Sequence, residues 1–307
     1  MNAIKTNPDN QNIELGKVSW HRDYDEALLL SKNTNKPILL FFQEIPGCST
    51  CVNFGRNVLT HPLMIEVIEN EFIPLAIYNN KGGKDAEILR KYNEPSWNNP
   101  VAHFIDSNGN NIISKLANNY EPLSMYNKIV EVLQKTKGEI PDYVTLLGQE
   151  LKINYGKVSR TVYETPCFWS GETTLAQQKS VFTTLAGFIG NREVVVVDFD
   201  EKISSLEELN NFSKEQGFFL IDKHSNFKVD KDPQYYLKKT NYKYLPLSKT
   251  QKTKINLAIP YKMDPEKYLS PKQLYWLHHK DLTTSSHPKA YELDINQAWE
   301  FLDKEIQ

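Results

Sequence analysis

The sequence predicts a two-domain chain, α/β in its first half and α+β in its second, closed by a helical extension. Three observations predict it. The 307 residues suffice for two domains with separate cores. Apolar runs of strand length alternate with segments of helical spacing, first over residues 15–140 and again beyond a weakly patterned stretch that opens at Pro141. The three cysteines divide between the halves, Cys48 and Cys51 in one and Cys167 in the other. The predicted layout is a flexible N-terminus 1–14, a first domain 15–140, a linker 141–156, a second domain 157–247 and a helical extension 248–307.

Composition narrows the function classes. Lys+Arg 36 against Asp+Glu 38 leaves a net charge of -2, which points to no nucleic-acid or membrane partner. A hydrophobic fraction of 40% and a charged fraction of 24% are ordinary for a soluble globular protein. The start, Met1-Asn2-Ala3-Ile4-Lys5-Thr6-Asn7-Pro8, lacks the apolar centre of a secretory signal. No apolar run approaches the ~20 residues that span a bilayer. Three cysteines are too few, and odd in number, for a disulfide-stapled scaffold. A cysteine pair plus one separate thiol in a reducing compartment reads as catalytic or redox-active chemistry, so the expected location is the cytoplasm, with no cofactor and no metal.

In the first domain, Ala27, Leu28 and Leu30 mark a helix that Asn33 and Asn35 stop. Ile38 through Phe42 is a continuous apolar run after Pro37, the pattern of a strand buried on both faces. Cys48-Ser49-Thr50-Cys51 follows at a strand-to-helix turn, since Leu59, Leu63, Val67 and Ile68 then repeat at roughly helical spacing. Further strands are predicted at Phe72–Tyr78, Asn99–Asp106 and Asn110–Leu116, with helices at Asp85–Tyr92 and Leu123–Leu133. A helix N-terminus presents free N–H groups and a partial positive charge, both of which stabilise a thiolate. A CxxC pair placed there suits thiol–disulfide exchange, Cys48 attacking and Cys51 resolving. The competing reading is half of a zinc site, which needs a second CxxC or a His pair that Cys167 alone does not supply.

This order of elements resembles the thioredoxin fold over essentially the whole first domain. The resemblance implies Cys48 as nucleophile, Cys51 as resolving thiol and Pro100 as a cis-proline facing them on the substrate side. The run Ile45-Pro46-Gly47-Cys48-Ser49-Thr50-Cys51 is also similar to a thioredoxin-like subgroup with selenocysteine at the Cys48 position after Val-Pro-Gly. Without the resemblance, Pro100 reads equally well as a trans proline opening a strand.

In the second domain, strands are predicted at Val158–Tyr163, Phe182–Gly190, Glu193–Asp200 and Phe218–Ile221, with a helix from Thr173 onward. A second helix begins at the capping box Ser205-Leu206-Glu207-Glu208. Between the first of these strands and its helix stands Cys167-Phe168-Trp169, with the acid Glu172 close behind. That run resembles the active-site motif of methionine sulfoxide reductase A, and the likeness continues in order for about 80 residues. It takes in Gly187-Phe188-Ile189-Gly190, the valine-rich strand from Glu193 to Asp200, and Asp230-Lys231-Asp232-Pro233-Gln234-Tyr235. The implied fold is ferredoxin-like.

The implied chemistry suits the residue types. A Cys167 thiolate attacks a sulfoxide sulfur, and Glu193 protonates the departing oxygen. Asp230 and Tyr235 hold that oxygen by hydrogen bonds. Phe168 and Trp169 wall an S-methyl pocket. Cys167 is left as a sulfenic acid, which a second thiol must reduce. Taken singly, Phe168 and Trp169 read as core, Glu193 as a solvated strand end, and the Asp230–Tyr235 run as a surface turn. Pro166 stands where the family has Gly, and the segment between Gly190 and Glu193 is shorter, removing one substrate-side Tyr. The family's C-terminal resolving cysteine is absent. The reductant is then either the Cys48/Cys51 pair or an external thiol or thioredoxin.

The extension opens a helix at Ser270-Pro271-Lys272-Gln273, with Leu274, Trp276 and Leu277 on its apolar side. Ile295, Trp299 and Leu302 mark a last amphipathic helix. His278-His279 are neighbours whose rings diverge, so they read as solvated surface. The whole chain is expected to reduce methionine sulfoxide or a related sulfoxide. The alternatives are a disulfide reductase whose second domain recognises substrate, and a non-enzymatic redox sensor.

Overall fold

The computed structural model describes residues 5–95, 100–221, 226–280 and 290–306. The chain forms two compact units, 1–140 and 141–307. Among the described residues no helix is long and apolar enough to cross a membrane.

In the first unit, α1 (Tyr24–Thr34) starts on the Asp23 side chain, which accepts the Glu26 N–H, and stops at Asn35 in the left-handed region. Strand β1 (Ile38–Gln43) follows, then α2 (Ser49–Val58), α3 (Pro62–Glu71), β2 (Ile73–Tyr78), α4 (Lys84–Lys91), β3 (Val101–Ile105) and α5 (Pro122–Lys137). The sheet order is β2-β1-β3, with β1 parallel to β2 and antiparallel to β3. Every residue of β1 is buried, as a central strand covered on both faces requires. Its apolar run therefore encodes position as well as conformation.

Three expectations for this unit are corrected. Residues 5–14 are not loose: 3-10 turns form at Pro8–Asn10 and Ile13–Leu15, and Glu14 is buried. The helical spacing after Cys51 belongs to two helices, because Pro62 cannot continue a helix already under way and instead opens α3. No full strand returns at 110–116. Isolated bridges pair Ile105 with Asn111 and Ala102 with Leu116, while Lys115 between them turns to form an ion pair with Glu94.

The second unit begins with α6 (Asp142–Asn154), where a linker was expected. Val144, Leu146, Leu147 and Leu151 bury one side of this helix. Then come β4 (Ser159–Glu164), α7 (Phe168–Leu175), β5 (Val181–Ile189), β6 (Arg192–Phe199), α8 (Leu206–Glu215), β7 (Phe219–Leu220), β8 (Phe227–Val229) and α9 (Tyr235–Lys238). The chain closes with α10 (Lys249–Ala258), α11 (Pro271–His279) and α12 (Ile295–Ile306). The sheet runs β7-β4-β6-β5-β8, antiparallel at every pairing.

Helix α7 starts at Phe168 rather than near Thr173, with Cys167 as its N-cap in an extended conformation. Helix α10 lies inside the unit. Thr250 Oγ1 donates to the Leu146 carbonyl, and Thr253 Oγ1 accepts the Thr184 N–H. The Lys254 ammonium donates to the Ala176 and Val181 carbonyls, and burial lowers its pKa to about 8. The stretch read as an extension thus completes the core of the second unit. The two later helices match expectation, with Trp276 and Trp299 packed 4.8 Å apart between ring centres.

Candidate functional site

Each unit holds one thiol centre. In the first, β1 delivers the chain into a tight loop and Cys48 caps α2. The two sulfurs stand 3.8 Å apart as free thiols, Cys48 exposed and Cys51 buried. The Cys51 N–H, followed by that of Thr50, stabilises the Cys48 thiolate and lowers its pKa against the opposing effect of burial. Burial pushes Cys51 up to about 12, and its hydrogen bond with Cys48 adds to the rise. One thiol is therefore primed to attack, while the other holds its proton until a mixed disulfide forms.

The loop is fixed from below and from the side. Gly47 N–H donates to the buried Glu14 carboxylate at 2.7 Å. The Gln43 side chain, fully buried, donates to the carbonyls of Glu14 and Cys51. Asn80 exchanges hydrogen bonds with the Ile45 backbone. A Cβ on Gly47 would lie 2.5 Å from the Glu44 carbonyl and 2.6 Å from Cys51 Cβ, so only glycine lets the loop close over the second cysteine. The Ile45–Pro46 bond is cis. Pro100 is buried and leads into β3; the Asn99–Pro100 bond lies outside the described residues. Among the described residues, Glu44, Cys48 and Cys51 form the one cluster of three ligand atoms, all within 4.8 Å of one another.

In the second unit, residues far apart in sequence gather at the start of α7. Cys167 is half-buried at the N-cap. Glu193, the second residue of β6, accepts the Phe168 N–H at 3.0 Å, so a carboxylate sits at the helix N-terminus beside the thiol. Trp169 stacks on Tyr235 at 4.1 Å and donates its indole N–H to Asp230 at 3.0 Å. Cys167, Glu193, Trp169, Asp230 and Tyr235 are thus brought together. Two details differ from expectation. Phe168 belongs to the hydrophobic core, 5% exposed and packed on Phe188, and does not wall an open pocket. Asp230 already holds Trp169 and the Asp232 N–H on one carboxylate oxygen, which makes it an anchor for the indole.

Three residues outside the predicted site complete this arrangement. Glu172, fully buried, accepts the N–H of Ala186 and of Gln234 with its two oxygens, tying α7 to β5 and to the residue before Tyr235. Gln234 takes a left-handed conformation to make that turn and donates its side chain to the Thr184 carbonyl. Asn256, on α10, accepts the N–H of Tyr236 and Leu237 and so caps α9 from outside. The sequence marks Glu172 as an acid inside an apolar helix start, which is a signal for a buried partner. Asn256 carries no such signal, since its partners lie 20 and 19 residues away.

Residues 19–107 match a family model described as thioredoxin-like. A curated relative, the thioredoxin-related protein DsbJ of Chlamydia pneumoniae, is 28% identical over 83 residues, 27% of this chain. The match spans 24% of that relative's own length. A solved structure, a DsbH oxidoreductase, shares 21% identity with a TM-score of 0.33, covering 41% of this chain and 90% of its own. The first unit of this chain carries a thioredoxin-like domain.

Proposed function

We propose that the chain is a two-module thiol oxidoreductase, in which Cys48 and Cys51 perform thiol–disulfide exchange and Cys167 reduces a sulfoxide, methionine sulfoxide in a peptide or a small relative of it. The thiol–disulfide half is supported by the thioredoxin-like match over residues 19–107 and by the lowered Cys48 beside a raised Cys51. One observation carries the sulfoxide half: Cys167, Glu193, Trp169, Asp230 and Tyr235, spread over 69 positions, meet around one helix N-terminus. A thiol, a carboxyl group and an aromatic wall are what sulfoxide reduction asks for.

In this reading the Cys167 thiolate attacks the sulfoxide sulfur. Glu193 supplies a proton to the oxygen, which passes to the Cys167 sulfur as the substrate's sulfur–oxygen bond and the transient sulfur–sulfur bond break, and the thioether leaves. Cys167 retains the oxygen as a sulfenic acid. A second thiol displaces water from it to give a mixed disulfide, and a further thiol releases Cys167. The Cys48/Cys51 dithiol, or an external thiol, supplies both. Covalent linkage of two modules raises the effective concentration of such a reductant.

A second reading keeps only exchange at Cys48/Cys51 and makes the second unit a recognition module. It is favoured by the family match, which stays within the first unit. Purified protein assayed with dithiothreitol on an N-acetyl methionine sulfoxide amide separates the two. Turnover by wild type and Cys48→Ser but not by Cys167→Ser is expected. An inert wild type that still reduces an insulin disulfide would leave only the second reading.

A further inference from the structure

We propose that the reduced Cys48–Cys51 pair and Glu44 form a three-ligand zinc site, so that metal chelation and disulfide exchange compete for the same two sulfurs. The site goes beyond the redox reading, and the binding itself does not depend on that reading. The sulfur separation is the first ground. Two sulfurs bound at ~2.3 Å on a tetrahedral ion stand ~3.8 Å apart. The distance between Cys48 Sγ and Cys51 Sγ is 3.8 Å, so chelation needs no change in the separation of the sulfurs.

The third ligand is the second ground. A zinc half-site on this motif lacks a partner in the sequence, because Cys167 is the only other cysteine. The loop supplies one locally. Glu44 lies four residues before Cys48, and its carboxylate oxygen falls within 4.8 Å of both sulfurs. Glu44 is half-buried and Cys48 exposed, which leaves the fourth tetrahedral position open to water, as in zinc sites with three protein ligands.

The chemistry selects the metal class. Two soft thiolates with one carboxylate suit zinc, whereas calcium and magnesium demand oxygen shells and iron–sulfur clusters demand more cysteines. Binding needs no oxidant. The ion takes the place of two protons, one from each thiol, and the three anionic ligands leave the site with one net negative charge. Affinity therefore falls as pH falls, by up to ~100-fold per unit where both thiols are protonated. The rigid loop around Gly47 keeps the ligands pre-placed. While the ion is bound, it draws electron density from the Cys48 thiolate and lowers its nucleophilicity, so alkylation of Cys48 slows.

The test is a zinc titration of the reduced full chain against a chromophoric competitor, with iodoacetamide labelling of Cys48 in parallel. One zinc per chain is expected, with zinc protecting Cys48 from labelling. Cys48→Ser should abolish binding, and Cys167→Ser should leave it unchanged. Glu44→Gln, nearly isosteric and checked for fold by circular dichroism, should weaken binding at least ~10-fold, because loss of even an outer-shell partner has that effect. Binding that survives Cys48→Ser, that disappears in Cys167→Ser, or that ignores Glu44→Gln overturns the proposal. So does failure of wild type to compete with the indicator.

Discussion

Replacing Glu172 by Gln should change the second unit's stability with opposite signs at acid and alkaline pH. The Glu172 carboxyl is fully buried, and burial pushes its pKa up to about 8 against two backbone N–H donors that pull it down. An acid with a raised folded pKa contributes most below its unfolded value and loses that contribution as pH climbs to the folded one. Here the window runs from 4.5 to about 8. At ~1.4 kcal/mol per unit the wild type loses ~5 kcal/mol across it. Glu172→Gln does not titrate, but its amide turns an NH2 toward one of two N–H donors and leaves that donor unsatisfied, at ~1–3 kcal/mol. The variant should therefore be less stable than wild type at pH 5, equal near pH ~6, and more stable by ~2–4 kcal/mol at pH ~8. Amide exchange in β5 and β6, corrected for intrinsic rates, reads this unit alone. A difference of one sign and constant size from pH 5 to 8 would refute the reasoning. Lys252 and Lys254, both lowered to about 8 by burial, regain stability only as pH rises above that value, so the wild-type curve should pass through a minimum there.

Two further outcomes follow from the thiol centres. Cys51→Ala removes the side-chain donor to Cys48 but leaves the N–H groups of Cys51 and Thr50. The Cys48 alkylation midpoint should rise yet stay below the ~8.5 of an ordinary thiol, and a midpoint at or above that value would show that the helix N-terminus is not what stabilises the thiolate. Asn256→Ala strands the Tyr236 and Leu237 N–H groups and should loosen α9 by ~1–3 kcal/mol. Amide exchange at 236 and 237 should quicken and KM for a sulfoxide should rise more than kcat falls; unchanged exchange would mean that α9 is held elsewhere.

Strands buried on both faces were legible because their apolar runs have no other use, as in β1. The valines of β6 were legible for the same reason. Helix α6 was not legible because a proline that precedes a helix, as Pro141 does here, is the same local signal as one that opens a linker. Its Val144, Leu147 and Leu151 already recur at helical spacing. The two bridges around 110–116 escaped because turn residues and alternation predict pairing without saying how long it lasts. Residue types at Cys167, Glu193, Asp230 and Tyr235 were readable, but their meeting depends on β4–β6 and β5–β8 register and on Gln234 in a left-handed turn. Neither leaves a local trace. The same holds for Glu44, whose place beside the cysteines comes from how the loop folds back.

The cap that Asn256 places on α9 has a consequence for synthesis. The first unit is complete once α5 ends at Lys137, whereas Tyr236 and Leu237 lack their cap until α10 has formed, roughly 120 residues later. Cys167 precedes the end of α10 by roughly 90 residues, so at about 5–20 residues per second a nascent chain spends on the order of 5 to 18 s with its first thiol pair housed in a finished fold and Cys167 on an unfinished one. During that interval Cys167 is an ordinary accessible thiol on a ribosome-bound chain, open to oxidants that the assembled site would screen.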